Sequence, residues 1–209
     1  MDLRGHGQAT GLCTFGDREV LDVDAAVGAA RQLGYQRVVV IGWSMGAAAV
    51  IRHAGLVKSG TLCHGHRLRH PPDAVASVSA PSRWFVRDTR PMWRIHWFAE
   101  RGTGRMVARG VLRVRIDPRA FVPIPPSPLD LIGSIAPTPL LIVHGCRDRY
   151  FTLEHLRALA AAAGKRARLW IEPEFGHAEA GLNPGLLDRI GSELRSLAGC
   201  GADMTMGLT

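Results

Sequence analysis

The stretch Arg37-Val38-Val39-Val40-Ile41-Gly42-Trp43-Ser44-Met45-Gly46-Ala47-Ala48-Ala49 decides how the rest of the chain is read. Four consecutive β-branched residues, Val38 to Ile41, suit a strand covered on both faces. The alanines after Ser44 start a helix expected to reach about His53. Gly42 and Gly46 lie two residues either side of Ser44, where absent side chains let strand and helix backbones press together in a sharp turn. With nine serines and 24 glycines in 209 residues, chance alone gives about 0.12 such Gly-x-Ser-x-Gly matches, so the context must carry the reading.

Composition bounds that context. A chain of 209 residues, 46% hydrophobic, is long enough for one sizeable core and short for two, so one domain with a sub-domain insertion is expected. No run approaches the ~20 apolar residues of a membrane span, and Met1 to His6 carries no hydrophobic signal region, which makes a cytoplasmic location the expectation. Cys13, Cys63, Cys146 and Cys200 share no repeating spacing and read as free thiols. The net charge of +8 is localised: residues 82–120 hold ten arginines against Asp88, Glu100 and Asp117. Only Lys58 and Lys165 among the 26 basic residues are lysine, a preference for arginine that is compositional as much as functional. No nucleic-acid recognition pattern accompanies the charge.

Taken in order, glycine-rich loop chemistry to Gly16 precedes a helix expected from about Asp17 to Leu33, with Val20, Val23, Val27, Ala30 and Leu33 as its apolar stripe. Residues 58–72 read as an exposed loop, although Cys63, His64, His66 and His70 in it can be drawn as metal ligands; no second cluster completes a site, and no metal is expected. A strand over Ala74–Ala80 stops at Pro81. Residues 82–127 then interleave Trp84, Phe85, Met92, Trp93, Ile95, Trp97 and Phe98 with arginines, either a cap whose apolar face covers a pocket or a helical excursion packing its own aromatics. A short helix near 129–135, a strand over 139–143, a helix from Thr152 to Ala163, a strand over 167–171 and a helix over 184–197 follow, and the tail 199–209 is expected to fray.

Two loops complete a constellation with Ser44. Asp148 follows the strand at 139–143, and His177 follows the strand at 167–171, both at carboxyl ends of parallel strands, where sites in such sheets form. A serine nucleophile needs a base for its proton and an acid to orient that base. Glu172 and Glu174 are alternative acids, placed less well because they flank the strand that delivers His177; His6, His53, His144 and His155 read as structural or solvated.

With this chain order, Ser then Asp then His, the sequence resembles the α/β-hydrolase superfamily, in particular its esterase, lipase and serine-aminopeptidase-like branch. Asp2 to Gly7 resembles the loop after that family's fourth strand, Gly42 to Gly46 its elbow, His144 to Asp148 its acid loop and Gly176-His177 its histidine loop, a likeness spanning residues 1 to about 198. The resemblance implies an α/β fold with a mostly parallel sheet flanked by helices, core segments 1–81 and 128–198, and residues 82–127 as a cap or lid. It implies Ser44 as nucleophile, His177 as general base, Asp148 as orienting acid and the Met45 backbone N–H as an oxyanion donor, with Trp43, Trp93 and Trp97 against the substrate and no cofactor.

The same resemblance implies three or four strands ahead of Asp2, and a second oxyanion donor from among them. Three expectations stand side by side: a true start upstream, a homodimer pairing the exposed Val38–Ile41 edge, or a non-catalytic relative that binds a ligand or partner. The activity expected is serine hydrolysis of a carboxylic ester, thioester or related acyl bond in a small molecule, without nucleic acid or stable membrane insertion. Dinucleotide binding through Gly5, Gly7 and Gly11 fails on spacing and for want of a preceding strand.

Overall fold

The computed structural model describes residues 1–178 and 183–199; Cys200 and the rest of the tail lie outside the described residues. Among the described residues four strands form one sheet: β1 (Val39–Trp43), β2 (Ala74–Val78), β3 (Leu140–Gly145) and β4 (Ala167–Glu172). All pairs are parallel, and the spatial order is the chain order, with Ser77 opposite both Gly42 and Ile142. Parallel neighbours need helical crossovers, and the strands alternate with α1 (Glu19–Gln32), α2 (Met45–Ser59), α3 (Arg90–Glu100), α4 (Gly102–Val111), α5 (Pro128–Ile132), α6 (Leu153–Ala163) and α7 (Pro184–Leu197). Among the described residues no helix is long and apolar enough to cross a membrane.

The strand period of two splits the core into two layers. Val75, Leu140 and Ile142 face α1, α2, α5 and α6, meeting Val27, Ile51, Ala54, Ile132, Leu156 and Leu159. Ala74, Ala76, Val78, Leu141 and Val143 face the other way, onto Leu186, Ile190 and Leu194 of α7, a single stripe four residues apart. Asn183 caps α7 by accepting from the Leu186 N–H at 2.8 Å, and Pro184 supplies a helix-ready first residue. Strands β2 and β3 are fully buried, while β1 lies at an edge with Val39 exposed and pairs with β2 alone among the described residues.

Two helix ends differ from the sequence reading. The α2 helix continues past His53 to Ser59 and stops at Gly60, whose φ of 70° is the left-handed turn that glycine takes freely. Arg52 and His53 look like an end in one dimension, yet both are buried: Arg52 Nη2 pairs with Asp17 Oδ1 at 3.1 Å and His53 Nε2 meets Asp24 Oδ1 at 3.1 Å. In α1, Val20, Val23 and Val27 are buried as expected, but Leu33 is 78% exposed because the helix has already ended at Gln32.

The segment between β2 and β3 leaves the core at Ser82 and returns at Ser127. Its two ends meet, since Leu129 N–H donates to the Ser82 carbonyl at 2.9 Å, and Ser82 N–H donates to Nδ1 of buried His155 at 3.0 Å. Arg52 Nε reaches the Pro126 carbonyl at 2.8 Å, and its Nη1 binds the Gly16 and Asp17 carbonyls, tying the excursion's exit to the N-terminal loop and to α2. Farther along, Cys13 exchanges backbone bonds with Arg115 and Asp117. Cys13 and Cys63 are buried free thiols and Cys146 an exposed one.

Burial holds His144 and His155 below the ordinary imidazole value, and for His155 the nearby Arg83 charge acts in the same direction. The unfolded chain therefore binds protons near pH ~6.5 that the folded chain refuses, so this contribution to stability is complete above that pH and lost as pH falls through the folded values. Thermal unfolding is expected at lower temperature at pH 5.5 than at pH 7.5, with a smaller difference in the His144→Gln, His155→Gln double variant.

Candidate active site

At the end of β1 the chain reverses into α2 at Ser44, whose φ of 52° and ψ of −116° lie where a non-glycine residue is strained. The turn is held by a bond from Ser44 N–H to the Val78 carbonyl, 2.9 Å, and by the fit of strand to helix. A Cβ on Gly42 would lie 2.3 Å from the Gly46 carbonyl oxygen, so glycine is required there by close approach of the two backbones. Gly46 has a different part: nothing lies within 4 Å of where its Cβ would be, and its bare backbone lines the cavity beside Ser44. Both glycines were expected to serve strand and helix contact, and only Gly42 does. Met45, first residue of α2, carries one of the N–H groups that have no acceptor within the helix.

The acid and histidine loops are brought together by a second such approach. A Cβ on Gly145 would lie 2.0 Å from the Phe175 carbonyl oxygen, and Arg147 N–H donates to that same oxygen at 3.0 Å. Across this contact His177 Nδ1 sits 2.9 Å from Asp148 Oδ2, and His177 Nε2 sits 2.9 Å from Ser44 Oγ. The carboxylate fixes the proton on Nδ1, leaving Nε2 to accept from the serine hydroxyl. Asp148 has a fully buried side chain, and its Oδ1 accepts from the N–H groups of Tyr150 at 2.8 Å and Phe151 at 3.0 Å. Burial works against its charge, but the His177 bond and the two backbone donors outweigh it, and the carboxyl lies below its ordinary value.

The alternative acids are engaged elsewhere: Glu172 pairs with Arg189, and Glu174, largely exposed, pairs with Arg147. His53, His144 and His155 are buried outside the cavity lining, whereas His6, expected to be structural or solvated, stands in the cavity wall.

That cavity, about 940 Å³, opens over Ser44 and is walled by Trp43, Phe15, Met92, Ile95, Phe98 and Phe121 among others. Trp43, at the end of β1, is among the lining residues. Trp93 and Trp97 do not line it: Trp93 is 59% exposed, and Trp97 packs edge-on against Phe98 at 5.2 Å. The cause is helical phase. Met92, Ile95 and Ala99 recur on the inner face of α3, and residues 93 and 97 fall one step of about 100° around it. Arg83 and Arg105 also belong to the lining. Phe15, Phe121 and His6 were missed because their approach depends on tertiary loop contacts that no periodicity announces.

Among the described residues one group of potential metal ligands has its atoms within 4.8 Å of one another: Asp17, Cys63 and His64. Both Asp17 oxygens are committed, Oδ1 to Arg52 and Oδ2 to His64 at 2.7 Å, and burial pushes the Cys63 thiol up, away from the thiolate that a metal needs. The group fits an ion-pair cluster, not a cation.

A profile described as the alpha/beta hydrolase family matches residues 1–184, and the chain belongs to that family. Solved structures agree on the fold. An esterase of Pyrococcus furiosus superposes with a TM-score of 0.64 at 23% identity, over 93% of this chain and 68% of that one. The esterase domain of a Rhodothermus marinus protein gives 0.54 at 21% identity, covering 88% of this chain and 69% of its own. Acyl-protein thioesterase 2 of Zea mays gives 0.50 at 17% identity, covering 95% and 71%. This chain thus spans about two thirds of the length of these structures. No curated relative matches it.

Gly145→Ala is expected to separate the acid and histidine loops, lowering stability by roughly 1–3 kcal/mol for the forced overlap. Chemical denaturation measures the loss; a stability equal to wild type would show that the loops tolerate the shift.

Proposed function

We propose that this protein is a serine hydrolase that cleaves a carboxylic ester, thioester or related acyl bond through an acyl-enzyme. The observation that carries the reading is the unbroken relay from Ser44 Oγ through His177 to Asp148, with 2.9 Å at each link, set in the wall of a largely apolar cavity. His177 Nε2 takes the hydroxyl proton as Ser44 Oγ attacks the acyl carbon, and Asp148 stabilises the imidazolium that forms. The carbonyl oxygen becomes an oxyanion, for which the Met45 N–H is a donor. Collapse expels the alcohol or thiol, which leaves with the proton from His177. Water then enters, gives a proton to His177 and attacks the acyl carbon; the acid departs as Ser44 recovers its proton.

Residues 82–127 act in this reading as a cap over the cavity. Met92, Ile95 and Phe98 present an apolar wall suited to an acyl chain, supported by esterases and a thioesterase among the proteins of similar fold.

A fluorophosphonate probe is expected to label Ser44, and short p-nitrophenyl esters to be hydrolysed. Ser44→Ala and His177→Ala each reduce turnover to background, because the residues act as a unit. Asp148→Asn lowers kcat by about 10⁴, since among the described residues the alternative acids are engaged elsewhere, Glu172 with Arg189 and Glu174 with Arg147. Labelling that persists in Ser44→Ala would dismiss this serine, and a ligand that binds without turnover would favour a binding protein instead.

Acyl-length dependence tests the cap. Removing the Ile95 contact forfeits about 1–2 kcal/mol of apolar burial, so Ile95→Ala is expected to lower kcat/KM for dodecanoyl esters roughly 10-fold more than for acetyl esters. Trp93→Ala, on the outer face of α3, leaves that ratio unchanged. Equal losses on both esters in Ile95→Ala would assign this wall to packing alone.

A further inference from the structure

Tyr150 makes contact with both partners of Ser44 and with the excursion. Its backbone N–H donates to Asp148 Oδ1 at 2.8 Å, and its ring stacks on the His177 imidazole with centroids 4.2 Å apart and planes 27° apart. Its carbonyl accepts from Thr89 Oγ1 at 3.0 Å. That same hydroxyl oxygen caps α3 by accepting from the Met92 N–H, at 3.4 Å. Phe151 also meets the imidazole, edge-on at 5.4 Å and 67°, itself buried and held where His144 Nε2 meets its carbonyl at 3.0 Å.

Two hydrogen bonds fix the ends of an imidazole axis but not the tilt of the ring about it. A ring stacked on one face and another edge-on restrict that tilt, and a small misplacement of a reacting group can cost 10²-fold in rate. We propose that Tyr150 is a positioning residue for His177, and that the Thr89 hydroxyl anchors Tyr150 to the first turn of α3, so that the alignment of the base depends on the seating of the cap. This inference rests on the reading of Ser44 and His177 as nucleophile and base. The element that walls the cavity and the element that orients the base are thereby joined through one side-chain oxygen, and neither Thr89 nor Tyr150 touches the acyl group in order to act.

The test is the rate at which a small fluorophosphonate labels Ser44 in the full chain, since this reads proton removal by His177 without needing the cavity. Tyr150→Phe keeps the stack and is expected to label within about 2-fold of wild type; Tyr150→Leu, which keeps bulk but not the aromatic face, is expected to label roughly 10-fold slower. With esters the loss in Tyr150→Leu falls on kcat and leaves KM within about 2-fold. Thr89→Val slows labelling several-fold and Thr89→Ser restores it. The downfield proton resonance of His177 Nδ1–H is expected to be retained in Tyr150→Phe and broadened in Tyr150→Leu. A merely structural part for Tyr150 would lower the unfolding temperature and leave the rate per folded molecule unchanged, and that result overturns the proposal. Should Tyr150→Leu not fold, equal labelling of Thr89→Val and Thr89→Ser overturns it equally. Absence of labelling in the wild type counts against the hydrolase reading, whereas a labelled wild type with an unaltered Tyr150→Leu rate counts against this inference alone.

Discussion

At Gly42 a Cβ would lie 2.3 Å from the Gly46 carbonyl oxygen, and at Gly145 2.0 Å from that of Phe175. Both distances are between a backbone and the space a side chain would need, and both lie at the carboxyl ends of strands. The first sets how sharply β1 turns into α2 and so where Ser44 points. The second sets how closely the loops carrying Asp148 and His177 approach. With these two spacings in place, the relay closes at 2.9 Å on either side of the imidazole. The parallel register of the four strands supplies the frame, since each loop leaves the carboxyl end of its strand on the same side of the molecule.

Around this frame the protein places buried charge with care. Arg52 is nearly inaccessible, and burial lowers its pKa while the Asp17 charge opposes the change. A guanidinium in such surroundings needs acceptors for its N–H groups, and here four of the five are met by the carbonyls of Gly16, Asp17 and Pro126 and by the Asp17 carboxylate. Trp84 lies against it, 5.5 Å from ring centre to guanidinium carbon. Removing Asp17 would strand the Arg52 charge, at a cost of about 3–5 kcal/mol, which makes this pair a lock between the N-terminal loop, α2 and the exit of the excursion.

The alternation of strands and helices, and the positions of Ser44, Asp148 and His177 after β1, β3 and β4, were legible because hydrophobic period and glycine placement are local properties. Family membership followed from the same residues. Helix phase within residues 82–127 was not legible by residue type alone: Trp93 and Trp97 are the largest apolar side chains of α3, yet Met92 and Ile95 occupy the inner face. The true length of α2 was hidden because Arg52 and His53 look solvent-seeking until Asp17 and Asp24 are folded against them. The stack of Tyr150 on His177 joins residues of two loops whose separation is set by Gly145 and Phe175, a relation that exists only in three dimensions.

The neck where residues 82–127 leave and rejoin the core has a consequence for chain entropy. Because Leu129 bonds to Ser82 and Arg52 grips Pro126, the two ends of the excursion are fixed by the core itself, whatever lies between them. For a loop whose ends are already pinned, doubling its length adds only about 0.6 kcal/mol to the closure term. The sheet is therefore nearly indifferent to how much chain is spooled out between β2 and β3, and the roof can lengthen or shorten at little entropic cost wherever the first turn of α3 keeps its contact with Tyr150.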